Sequence, residues 1–153
     1  MDYLRKAKVT LMLAQSAQQV PNGTVSLLGG GLTQFPADMP FAIAGTIEMP
    51  WDAAGVNHRF RLELLDSDGQ PVTVTSAEGE EQPLLLEGQF AVAPQPGLRR
   101  GTPLSMPLAI NLPPQPLAPG TRYEWRFELD GDTHEDWRLG FNTLPPNPHA
   151  LAA

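Results

Sequence analysis

Arg122-Tyr123-Glu124-Trp125-Arg126-Phe127-Glu128-Leu129, followed by Asp130-Gly131-Asp132, is the stretch whose reading decides the fold. Its apolar residues fall at every second position. In a strand, Tyr123, Trp125, Phe127 and Leu129 share one face, and Arg122, Glu124, Arg126 and Glu128 share the other. A helix would scatter the same aromatics around its circumference, where no single core could use them. Trp137-Arg138-Leu139-Gly140-Phe141 alternates next. Asp-Gly between two alternating runs is a strong hairpin signal, because both residues tolerate the positive φ that a tight turn requires.

Working outward, the same period recurs. His58-Arg59-Phe60-Arg61-Leu62-Glu63-Leu64 buries Phe60, Leu62 and Leu64. Asp66-Ser67-Asp68-Gly69 supplies a turn, and Val72-Thr73-Val74-Thr75 is expected as the return strand. Further strands are expected at Val9–Ala14, Thr24–Leu28, Phe41–Met49, Leu84–Val92 and Met106–Leu112. The strand at Val9–Ala14 uses Val9, Leu11 and Leu13 inward, with one helical turn expected over Gln15–Gln19. Eight to nine short strands with frequent turns predict an antiparallel β-sandwich. Pro107 limits its strand to a sheet edge or a strand start, since proline cannot donate to a ladder.

Leu117-Ala118-Pro119-Gly120-Thr121-Arg122-Tyr123 has the pattern of a tyrosine corner. There the phenol bonds back to the connection before its strand and fixes how the chain crosses between sheets. This gives Tyr123 a structural job and points to an immunoglobulin-like Greek key. Eight of the seventeen prolines lie between Pro94 and Pro119, read as a long ordered connection across one end. Leu112-Pro113-Pro114 is a candidate for a cis bond. One domain is expected over residues 1–144, with a frayed tail over 145–153.

Composition narrows the function classes. The 153 residues are 41% apolar, enough for a core, and only 18% charged, with 17 proline and 14 glycine. Ten Lys+Arg stand against seventeen Asp+Glu, a formal charge of −7. Such a chain repels phosphate backbones and anionic membranes, so neither nucleic acid nor membrane is expected as partner. With no cysteine, thiolate metal sites, disulfides and cysteine nucleophiles are excluded. The apolar run Val9–Ala14 is too short for a signal segment or a membrane span. The expectation is a cytoplasmic protein without cofactor.

No motif supplies chemistry. His58, His134 and His149 have no metal-ligand spacing among themselves. Asp130, Asp132, His134, Glu135 and Asp136 crowd one hairpin, but a turn alone seldom supplies the roughly six to eight oxygens that calcium takes. No metal is expected there. None of the serines sits in a Gly-x-Ser-x-Gly elbow. A hydrolase would need a pocket joining His58 or His134 to a serine and a carboxylate. Gly29-Gly30-Gly31 lacks the Gly-Lys-Ser/Thr ending of a phosphate loop and reads as a strand end or bulge. Arg122, Glu124, Arg126 and Glu128, like Arg59, Arg61 and Glu63, read as a wet sheet face with cross-strand charges.

Aromatic side chains remain. Trp125 and Trp137 fall at core-facing positions. Trp51, at a strand end in Met49-Pro50-Trp51-Asp52, is free to be partly exposed; with Phe35 and Met39 it makes the candidate binding patch. The expected function is therefore a non-enzymatic binding or protein-interaction module with an unidentified protein partner. Its loops at Gly29–Met39, Pro50–Asn57 and Ala93–Pro103 are expected to carry the binding. The alternative is a small-ligand or carbohydrate-binding domain using Trp51 or the loop around Asp130. Homo-oligomers are an expectation too, because sandwich edges invite pairing.

Several runs also carry a family likeness. Val9-Thr10-Leu11-Met12-Leu13-Ala14 and Asn22-Gly23-Thr24-Val25-Ser26-Leu27-Leu28-Gly29-Gly30-Gly31 are the first two. Pro40-Phe41-Ala42-Ile43-Ala44, Phe60-Arg61-Leu62-Glu63-Leu64-Leu65-Asp66 and Gly120-Thr121-Arg122-Tyr123-Glu124-Trp125 follow. Together they resemble small bacterial proteins catalogued only as a domain of unknown function. The resemblance covers most of the chain. It implies a β-sandwich and no catalytic residue, ligand or partner.

Overall fold

A computed structural model describes residues 7–21 and 23–146. The described residues form twelve strands: β1 Lys8–Ala14, β2 Ser16–Val20, β3 Thr24–Leu28, β4 Gln34–Phe35, β5 Phe41–Met49, β6 His58–Leu65, β7 Thr73–Thr75, β8 Glu81–Pro83, β9 Leu85–Phe90, β10 Leu104–Leu112, β11 Arg122–Leu129 and β12 Asp132–Thr143. They build a three-stranded sheet in the order β1-β5-β10 and a five-stranded sheet in the order β4-β12-β11-β6-β9. Two small hairpins, β2-β3 and β7-β8, stand beside them. All pairings are antiparallel except that of β4 with β12.

The nine strands expected from the sequence all have a counterpart. The count of eight to nine is too low because of β2, β4 and β8. The helical turn expected over Gln15–Gln19 is instead strand β2. It pairs with β3 because Gly23, at φ 83°, closes a turn with its N–H on the Val20 carbonyl at 3.0 Å. A second correction concerns β6. Pro71 makes a single bridge to Leu65 and the Val72 N–H bonds the Leu64 carbonyl at 2.9 Å, but Thr73–Thr75 then leaves the sheet to pair with β8. β9 takes the place beside β6, with Leu86 against Leu62. Its apolar residues cover the core where the Thr-rich run would not. No cis peptide bond occurs among the described residues, Leu112-Pro113-Pro114 included.

The core lies between the two larger sheets. Trp125, Phe127, Leu129 and Tyr123 of β11 are buried as their alternation requires, and Phe41, Ile43, Ile47 and Met49 of β5 face them. Phe41 meets Trp125 at 6.5 Å and Phe141 at 6.0 Å between ring centroids. Trp137 sets its edge on Phe127 at 5.9 Å. Each such side chain contributes about 1.5–3 kcal/mol on leaving water. Gly45 is required on β5, since a Cβ there would overlap the Thr10 carbonyl of β1.

The outward face of the three-stranded sheet is also covered. Ala14, Ala42 and Ala44 point away from the core, yet each is fully buried. The β2-β3 hairpin folds over β5 and β10. Asn111 fastens it, accepting from the Ala17 N–H at 3.1 Å and donating to the Ala17 carbonyl at 2.8 Å. Gln19 adds a bond from Nε2 to the Pro107 carbonyl at 2.7 Å.

The tyrosine corner takes the expected form. The Ala118 N–H donates to the Tyr123 phenol oxygen at 2.8 Å. Buried Thr143 closes the corner, donating to the Ala118 carbonyl at 2.6 Å and accepting from the Thr121 N–H at 2.9 Å. The Leu144 N–H is held by the Phe35 carbonyl at 2.9 Å. The tail expected over 145–153 lies outside the described residues beyond Pro146. No helix among the described residues is long and apolar enough to cross a membrane.

Candidate functional site

β5 ends at Met49, and Pro50 turns the chain out of the sheet with φ −65° and ψ 155°. Trp51-Asp52-Ala53 then forms a single 3-10 turn. The Ala53 N–H bonds the Pro50 carbonyl at 3.0 Å, and the Ala54 N–H bonds the Trp51 carbonyl at 3.1 Å. Ala53 is buried and pins the turn to the core. Gly55 donates to the Val92 carbonyl at 3.0 Å, so this loop is tied to the connection between β9 and β10. That connection folds on itself in turns at Gly97 and Gly101, both with positive φ.

Register brings the two loops together. Met49 of β5 pairs with Leu104 of β10. In an antiparallel pair, the residues after Met49 must therefore lie beside those before Leu104. The outcome is a hollow of about 430 Å³ lined by Glu48, Pro50, Trp51, Asp52, Arg100, Gly101 and Pro103. Trp51 is half-buried, packed partly on the core cluster and partly lining this hollow. Asp52 and Arg100 are exposed, and neither is in an ion pair with a described residue.

The structure does not unite Trp51 with Phe35 and Met39. Phe35 is only 2% exposed, held between the rings of Phe41 at 4.9 Å and Phe141 at 5.0 Å. Met39 is half-buried against the same core. Both lie at the Phe41 end of β5 and Trp51 follows its Met49 end, roughly 27 Å away at the rise of an extended strand. The reason is burial: β4 pairs with the end of β12, which turns Phe35 inward. Loop 29–39 consequently sits opposite loops 50–57 and 93–103. Glu48 and Arg100 are the side chains that sequence reasoning missed. The only signal was the basic pair Arg99-Arg100, about fifty positions from Trp51.

The acidic hairpin has a structural explanation. Asp130 at φ 51° and Gly131 at φ 83° form a two-residue turn. The Asp130 carboxylate accepts from the Arg59 N–H at 2.8 Å and bonds His58 Nδ1 at 2.8 Å. His58 itself is fully buried. His134 Nδ1 accepts from the Asp136 N–H at 3.0 Å. Among the described residues, no group of three His, Asp or Glu side chains is placed to hold a metal. No serine lines the hollow beside His134 or the one beside Asp130.

The outward face of the five-stranded sheet carries a charge ladder. Arg61 lies 3.4 Å from Glu87 and 3.8 Å from Glu128, and Arg138 lies 3.5 Å from Glu124. These pairs are largely exposed, so each is worth little beyond orienting its neighbours.

The model of a family of unknown function, DUF6941, matches residues 9–141 of the chain. No curated protein matches it.

Proposed function

We propose, from the premise that this chain belongs to the family of unknown function DUF6941, that it is a non-enzymatic protein-interaction module. Its binding end is the one formed by loops 50–57 and 93–103. One observation carries this reading. Val56 and Leu98, two of the three exposed large apolar side chains among the described residues, share those loops with Trp51 and the Arg99-Arg100 pair. Tryptophan and arginine are the residue types most enriched where binding energy concentrates. Loops on a rigid sandwich can vary without disturbing the core beneath.

The strand order supports a Greek-key, immunoglobulin-like arrangement, since β5 and β6, β9 and β10, and β10 and β11 each lie in different sheets. A formal charge of −7 supports a partner that is neither nucleic acid nor an anionic membrane. The lack of cysteine is in keeping with a cytoplasmic protein without disulfides. The edge positions of β1 and β9 in the two larger sheets leave room for homo-oligomers. A second reading, a small-ligand or carbohydrate-binding domain, rests on the hollow itself, whose volume falls in the range of ligand sites.

The test is capture from a lysate of the native host. A protein retained by the wild type and lost with the double variant Trp51→Ala/Leu98→Ser is the expected result. Capture that is indifferent to both substitutions, or no protein enriched above an unrelated acidic control, overturns the reading.

A further inference from the structure

We infer that the hollow beside Trp51 is a sugar site, taking a neutral pyranose ring; this rests on the reading that the end bearing loops 50–57 and 93–103 is the binding end. Three properties lead there. The first is the plate. Trp51 is half-buried, packs against the core cluster and is among the residues that line the hollow. Its turn is pinned by buried Ala53 and by the Gly55 bond to Val92, so little order is lost when a ligand stacks on it. An indole offers a large apolar surface on which the C–H face of a pyranose can lie.

The second property is the donor and acceptor set. Glu48, Asp52 and Arg100 line the hollow; carboxylate oxygens accept from hydroxyls, and guanidinium N–H groups donate to hydroxyl or ring oxygens. Hydroxyl groups do both at once, and bonds to charged partners are the stronger kind. The third property is the charge balance. Arg100 offsets one of the two carboxylates, so the lining combines both signs of charge. A nucleotide would set its phosphates against Glu48 and Asp52. A strongly cationic ligand would meet Arg100. A neutral polyol suits both groups.

The ring could come from a free saccharide or from one displayed on a larger partner. The experiment passes the full chain over beads carrying glucose, galactose, mannose or N-acetylglucosamine, with heparin beads as an anionic control. At least one neutral sugar is expected to retain the wild type. Elution by the same sugar free in solution marks a free ligand; retention that only a polymer of it competes away marks a displayed one. Trp51→Ala is expected to weaken retention roughly tenfold or more. Trp51→Phe, which keeps an aromatic plate and guards against a folding defect, retains part of it, and Arg100→Ala weakens it several-fold. Leu28→Ser, on the distant hairpin, leaves it unchanged. Failure of every neutral sugar, retention by heparin alone, or binding that survives Trp51→Ala overturns the inference. If sugars fail while capture from the lysate still depends on Trp51, the interaction reading stands and only the ligand class falls.

Discussion

Tyr123 shows how much one polar atom can decide. Its ring stacks on Phe141 with centroids 5.6 Å apart, and its phenol oxygen takes the Ala118 N–H. Removing the hydroxyl leaves that amide partly buried without its acceptor. Tyr123→Phe is therefore expected to destabilise the domain by about 1–3 kcal/mol while its spectra stay native. Urea unfolding measures this; a change within experimental scatter would mean that the phenol bond is not what fixes the crossing. Trp51 and Phe35 make the converse point. Both are aromatics beside a strand end and a proline, and only the pairing of the neighbouring strand leaves one half-exposed and buries the other.

At the scale of elements, the β2-β3 hairpin acts as a cover tied to the sheet by side-chain hydrogen bonds from Asn111 and Gln19. Its residues alternate weakly, and its fit on the sheet depends on small outward side chains at Ala14, Ala42 and Ala44. Asn111 imitates a neighbouring strand by offering one acceptor and one donor to Ala17. Asn111→Ala is expected to cost about 1 kcal/mol and to raise hydrogen exchange at the Ala17 amide and across β2, leaving the amides of β11 protected. Unchanged exchange at Ala17 would show that the hairpin is held by something else. Pro107 lies within β10, an edge strand, where its missing N–H denies a bond to any further strand.

Over the whole molecule, the two larger sheets share one core. Residues of β1, β5 and β10 belong to the same cluster as those of β6, β11 and β12. Neither sheet can bury its apolar face alone, so unfolding should be a single cooperative step. Far-ultraviolet circular dichroism, which reports strands, and tryptophan fluorescence, dominated by buried Trp125 and Trp137, are expected to give coincident urea transitions. Two separated midpoints would show that the sheets unfold independently.

Strand positions were legible in the sequence wherever one face is buried and the other wet. Burial then imposes a period of two, and Arg122–Leu129 and His58–Leu64 display it plainly. Turn chemistry was equally legible, as at Asp130-Gly131, because few residues tolerate positive φ. The tyrosine corner could be read for the same local reason. Pairing between strands was not, since Val72–Thr75 and Leu84–Val92 are both acceptable neighbours for β6 until the core selects the more apolar one. The hollow at Trp51 belongs to this second kind. Glu48 is near Trp51 in the chain, but Arg100 reaches it only through the register of β5 against β10, a long-range pairing that no local pattern encodes.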